Sequence, residues 1–256
     1  MKKITGIIFC LIVTSNVFAK SVAGNITNSD TGSVFVGILP TYLDWFDDFI
    51  GGTVVSGNIG DKGWNSEISG ADAAVLITSG ETNSPGLYYV GTGSTATGRV
   101  SLFPSITNPT YSNIKIAGLD NIIMRISIGT LSSAPEEYIV RFGFGDVTSA
   151  DFVDGVYFEY DRTTSVNWQY CTASGSTRTK TTSSVAVSAA YHKLQIRVSS
   201  AKDTVEYYVD GVSLGKITTN IPTDYTTIML QYLKTVGSTG LYFNIDYVRY
   251  YNSTPR

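Results

Sequence analysis

Chemistry in this chain has to start from a small stock of reactive side chains: one histidine, two cysteines and 21 acids in 256 residues. Among the acids, Glu159 and Asp161 alternate within an extended run, so both carboxylates face one side of a strand. Retaining cleavage of a glycosidic bond needs two carboxyls about 5–5.5 Å apart across that bond. Thr163, Thr164 and Ser165 follow Asp161, and no further acid comes in phase to serve as the acid–base partner. Glu159 is therefore expected to pair with a cation on the same polar face, Arg141 or Arg125. Glu136 and Glu137 follow Pro135 and are expected at a solvated turn.

Asp146, Asp151 and Asp154 fall within one loop and offer oxygen ligands for a hard cation, with calcium the candidate. Their spacing matches no EF-hand loop, and the competing reading is Asx turns and caps. His192 has the chemistry of a general base or metal ligand, but it has no second histidine to share a metal and sits at a strand start. A structural or surface role is expected for it. Zinc is excluded by the same scarcity. There is no Gly-x-Ser-x-Gly elbow, phosphate loop or dinucleotide fingerprint.

The elements that must position these groups read as strands. In Tyr191–Ile217, Leu194, Ile196 and Val198 alternate with Gln195, Arg197 and Ser199, and Val205, Tyr207 and Val209 with Glu206 and Tyr208. Asp210-Gly211 supplies a two-residue hairpin turn between that second run and Val212–Ile217. The runs 122–128, 138–144 and 156–160 alternate in the same way, and Trp168 and Tyr170 share one face of another strand. No long stretch repeats at helical spacing, and 25 glycines and 17 tyrosines fit a turn-rich, aromatic-rich β protein. The expectation is all-β, a two-sheet antiparallel jelly-roll sandwich over residues 44–252, with apolar inner faces and polar outer faces that are wet or carry paired charges.

Residues 1–19 combine Lys2 and Lys3, an apolar run and Val17-Phe18-Ala19, the layout of a secretory signal peptide. The run is short for a membrane span, so no membrane contact is expected after cleavage. Residues 20–43 read as an extended arm. Cleavage would leave Cys171 alone, excluding an intramolecular disulfide and pointing to a buried, inert thiol. The net charge of −3, two units lower without the leader lysines, argues against nucleic acid and anionic membranes.

Tyr191-His192, Ile196, Tyr207 and Val209-Asp210-Gly211 resemble the laminin-G-like pattern of the concanavalin A-like lectin/glucanase superfamily, with Tyr191 where tryptophan is usual. Phe243–Tyr251 resembles the closing strand of family 16 glycoside hydrolases. Asp47-Asp48-Phe49, Gly63-Trp64, Thr97-Gly98-Arg99, Tyr138–Asp146, Asp154–Asp161, Asn167-Trp168, Thr177-Arg178-Thr179 and Thr219–Thr223 resemble, in order, lectin-like domains of tailed-phage virion structural proteins. Family 16 enzymes carry a Glu-x-Asp-x-(x)-Glu strand, of which only Glu159 and Asp161 have counterparts here, so the resemblance implies a non-catalytic module. It implies a glycan or cell-surface polysaccharide as partner, contacted by aromatic platforms with polar neighbours: Trp168, Tyr170, Glu159, Arg141 and Arg125. It also adds Asp246 to the calcium set, although no cofactor is required. Implied settings are secreted, cell-surface or virion-borne, with homo-oligomers or virion assembly formed through sheet edges or the arm. The alternatives are a polysaccharide-active enzyme with an atypical acid pair and a protein-binding adhesion domain.

Overall fold

The computed structural model describes residues 43–50, 53–56, 59–78, 86–104 and 114–253. The leader and the arm up to residue 42 lie outside the described residues. The strands, in chain order, are β1 (Leu43–Asp47), β2 (Trp64–Ser69), β3 (Ala74–Thr78), β4 (Leu87–Gly91), β5 (Arg99–Pro104), β6 (Ile114–Lys115), β7 (Asp120–Ile128) and β8 (Tyr138–Gly145). They continue as β9 (Gly155–Asp161), β10 (Asn167–Ser174), β11 (Thr177–Ala186), β12 (Tyr191–Val198), β13 (Val205–Val209), β14 (Val212–Ile217), β15 (Tyr225–Lys234) and β16 (Tyr242–Asn252). Among the described residues no helix is long and apolar enough to cross a membrane.

The strands form two eight-stranded antiparallel sheets. The first runs β14-β13-β12-β7-β16-β4-β3, with β1 also on β16; the second runs β11-β10-β9-β8-β15-β5-β2, with β6 also on β15. Alternation explains the layering. Ile122, Met124 and Ile126 of β7, Leu194 and Ile196 of β12, and Phe243 and Ile245 of β16 point inward from the first sheet. They meet Val140, Phe142, Phe158 and Leu230 of the second in one fully buried core. The sequence-derived sandwich is the observed architecture.

The outer faces differ. On the first sheet many outward residues are half-buried or exposed, such as Arg125, Tyr89, Tyr242 and Arg249, while Asn121, Ser127, Gln195 and Asp246 are buried among them. The second sheet's outer face takes the paired-charge form of the expected polar face and is not wet: Arg141, Glu159, Gln169 and Gln231 all point away from the core yet are buried, with Arg141 and Glu159 ion-paired. The cover is the β8–β9 connection, Asp146–Asp154. Its Val147 and Phe152 lie on Phe103, Tyr157, Cys171, Ala173 and Met229, forming a second small core outside the sheet. Gly145 and Gly155 make room for the Phe152 ring, which a Cβ at Gly145 would meet at 2.6 Å.

Candidate functional site

The outer face of the second sheet collects most of the acids and cations singled out by the sequence. The strand registers Arg141↔Glu159 and Arg141↔Gln231 set β8, β9 and β15 side by side with these three side chains on one face. Arg141 Nε donates to Glu159 Oε2 at 2.6 Å, and Arg141 Nη1 donates to Gln231 Oε1 at 2.7 Å. Lys180 of β11 donates to the other Glu159 oxygen. Arg141 Nη2 reaches Asp151 in the covering loop, and Arg178 Nη1 lies 3.1 Å from the second Asp151 oxygen. Gln231 Nε2 donates to the carbonyls of Val147 and Ala150 at 2.9 and 3.0 Å, fastening the loop from below. Burial works against ionisation of Asp151, but the charges of Arg141 and Arg178 outweigh it and hold its carboxyl below the usual range.

This arrangement removes glycosidase chemistry from Glu159. Both of its oxygens are bound by cations, and the group is fully buried. Asp161 does not complete a pair: it accepts from the Thr163 N–H at 3.0 Å and the Thr163 hydroxyl at 2.6 Å, stapling the turn after β9. A nucleophile must meet the anomeric carbon, and neither carboxylate here is presented to solvent with a partner across a cleft.

The remaining site residues separate. Arg125 lies in the first sheet, paired with Asp246 rather than Glu159. A bulge in β16 between Ile245 and Tyr247 produces this pairing, because the additional residue turns Asp246 toward β7. The calcium set is therefore not assembled. Asp246 is engaged by Arg125, Asp151 by two arginines, Asp146 accepts from the Val153 N–H, and Asp154 from the Gly175 N–H. Among the described residues the three-carboxylate cluster is instead Asp47, Asp48 and Asp61. Asp47 there takes the N–H groups of Phe49, Asp61 and Lys62 and the Trp64 indole at 2.9 to 3.2 Å, a structural knot at the end of β1.

The aromatic platform at Trp168 and Tyr170 is also corrected. Trp168 is fully buried against Phe142, Phe158 and Tyr160, and Tyr170 packs on Tyr207, so neither offers a face to a ligand. Alternation places them correctly on one face, but that face is the core.

Half-buried aromatics lie on the outer face of the first sheet, none of which the sequence patterns single out as a site. Tyr89 of β4 and Tyr242 of β16 stack with centroids 4.5 Å apart. Each ring lies above a glycine: a Cβ at Gly91 would meet the Tyr89 ring at 2.6 Å, and one at Gly129 the Tyr242 ring at 2.1 Å. Across the same face the Arg125 guanidinium sits 4.4 Å from the Tyr191 ring centre, and that of Arg197 4.7 Å from Tyr208. Phe46 packs on Tyr247, with Asn244 and Ser127 hydrogen-bonded between the strands. The signal was present as tyrosines at outward positions of four strands, β4, β12, β13 and β16, but the alternation rule assigns a face and does not say which polar face is covered.

Two face-packed antiparallel sheets in this strand order define a concanavalin A-like jelly roll, the class of β-glucanases and carbohydrate recognition domains. Within it, the chain belongs to the family of the SO2946-like, C-terminal domain, whose model matches residues 83–246. It is similar in structure to the protein of unknown function SO2946 from Shewanella oneidensis MR-1, at 14% identity over 90% of this chain and 99% of that one, TM-score 0.59. A glycosyl hydrolase family protein from Mycobacterium fortuitum matches at 11% identity over 80% and 98%, TM-score 0.55. The carbohydrate recognition domain of Emp47p matches at 10% over 78% and 93%, TM-score 0.52. No curated protein matches the chain. At these identities the likeness carries the fold alone.

Proposed function

We propose that the chain is a lectin-like module that binds glycans through the outer face of the first sheet and does not cleave glycosidic bonds. The carrying observation is the Tyr89–Tyr242 stack lying over Gly91 and Gly129. The half-buried rings packed above these glycines offer apolar surface to the faces of sugars, and Asn244 and Arg125 on the same sheet face supply hydrogen-bond partners for hydroxyls. Fold relatives that include a carbohydrate recognition domain and a glycosyl hydrolase family protein support a saccharide partner. The ion-paired burial of Glu159 supports binding over glycosidic cleavage. The leader-like residues 1–19 and the phage-like stretches support a module that is exported or carried on a virion, acting in attachment or assembly without a required cofactor.

The test pairs a glycan array with reducing-sugar release from a polysaccharide panel. Binding to a defined glycan set without sugar release is the expected result. Reducing ends that appear with the wild-type protein and vanish with Glu159→Gln would overturn it.

A further inference from the structure

The chain's one histidine sits in a relay that glycan binding does not use. His192 opens β12. Its Nε2 is 2.7 Å from the Ser188 hydroxyl, and its Nδ1 is 2.7 Å from Asp210 Oδ2. Each partner is held by backbone. Asp210 occupies the β13–β14 turn with φ 51°, followed by Gly211 at φ 83°, the positive pair required by a tight hairpin. Its Oδ1 accepts from the Lys193 N–H at 2.8 Å, and its own N–H donates to the Lys193 carbonyl at 2.8 Å. Ser188 lies in the β11–β12 connection, where the Ala190 N–H donates to its hydroxyl at 3.3 Å and the Val187 N–H to Val166 O at 3.0 Å. The imidazole meets the Trp168 ring edge-on at a centroid distance of 6.4 Å on its core side. On the outer side the relay reaches solvent: the His192 side chain is 14% and that of Asp210 51% exposed.

We propose that Ser188, His192 and Asp210 form an acyl-transfer site for small carboxylic esters. With Nδ1 donating to Asp210, Nε2 is left as acceptor for the serine proton, which is the tautomer a general base needs. The serine Oγ bonds to the ester carbonyl carbon as its proton passes to Nε2. The carbon–alkoxy bond then breaks, and Nε2 returns that proton to the departing alcohol. Water next attacks the acyl-serine carbon, giving its proton to Nε2, and the acid leaves as Ser188 Oγ is reprotonated. Asp210 is a positioning residue that fixes the imidazole. Val166 and Val212, 59% and 61% exposed, border the Val187 and Asp210 segments and offer apolar surface for a short acyl group.

The ester-bearing molecule is an O-acylated sugar, an assignment that rests on the glycan reading; the serine chemistry does not. Tyr191, next to His192, shares a cross-strand row with Ser127, Asn244 and Tyr89. Three strand spacings make that row about 14 Å long on the outer face, ending at Tyr191; His192 turns to the opposite face, so a sugar on the row brings its ester to the relay by wrapping the Tyr191 end of β12.

The experiment incubates the full chain with p-nitrophenyl acetate and, separately, with a fluorophosphonate probe followed by peptide mass spectrometry. The expected results are ester turnover, a covalent adduct on Ser188, and rates lowered about 100-fold or more in Ser188→Ala and His192→Gln. Asp210→Asn should lose the adduct as well, and Asp210→Glu should regain part of it, which a purely structural role would not produce. Ser188→Ala alters one half-buried hydroxyl and should keep the wild-type melting temperature, which controls for folding. Wild-type turnover equal to that of Ser188→Ala, or an adduct elsewhere, would overturn the site. Acetate release from acetylated xylan supports the sugar ester. Turnover of the small ester with no such release overturns that assignment alone.

Discussion

Arg141 and Glu159 face each other across adjacent strands, 2.6 Å from guanidinium Nε to carboxylate oxygen, and both are buried although they point away from the main core. Their pairing turns a strand with the outline of a hydrolytic one into a support for a covering loop. Removing Arg141 strips the buried Glu159 carboxylate of one of its two cations and leaves Gln231 Oε1 without its donor, so Arg141→Leu should cost about 3 kcal/mol in denaturant unfolding. Replacing both residues with Leu should recover much of that loss, and a double-mutant cycle measures how much.

Asp151 predicts how the loop responds to acid. Its folded pKa lies below the usual value of about 3.9, so its contribution to stability is full above that value and lost as pH falls through the lower folded pKa. The melting-temperature gap between wild type and Asp151→Asn should hold steady from pH 7 to about pH 5, then close toward about pH 3. A gap that widens in acid would contradict the ion-pair assignment.

Cys171 lies under the loop beside Tyr157, and burial pushes its thiol up to about 12, with the Glu159 charge adding to the effect. The thiolate is the reactive form, so the native protein should resist a thiol reagent such as iodoacetamide at pH 8 and react in full once unfolded. Rapid native labelling would show that the loop opens.

Trp168 should behave as a core residue. Trp168→Ala should destabilise the fold by about 3–5 kcal/mol, as loss of a large buried aromatic does. A ligand platform would instead tolerate truncation with little change in melting temperature.

Much of the fold was legible because alternation fixes strand faces: Ile122, Met124 and Ile126 could only be inward once Arg125 and Ser127 were outward. The Asp210-Gly211 hairpin was equally plain. β11 was harder, since Thr177–Ala186 is a run of threonines and serines at a sheet edge, with little apolar alternation to mark it. The site was less legible still. The sequence supplies Arg141 and Glu159 as an outward pair, but their burial depends on Phe152, ten or so residues along the chain, folding back over the sheet. Apolar Tyr157, Cys171 and Met229 on the nominally wet side were the available sign. The Asp246–Arg125 pair had no sequence signal, because it depends on one bulged residue in β16 that rotates Asp246 toward β7. The Tyr89–Tyr242 stack joins strands far apart in sequence, and the glycines beneath it carry no local signal.

Glycan-array binding by Gly129→Ala, set beside wild type and Glu159→Gln, tests the account at its centre. The new methyl group enters the space under the Tyr242 ring, whose side chain can swing away without unfolding the sheet. The account predicts that Gly129→Ala keeps the wild-type melting temperature and loses about tenfold in affinity, the worth of one good stacked contact, while Glu159→Gln binds as wild type does. Undiminished binding by Gly129→Ala, together with loss in Glu159→Gln, would place the ligand on the other sheet and contradict it.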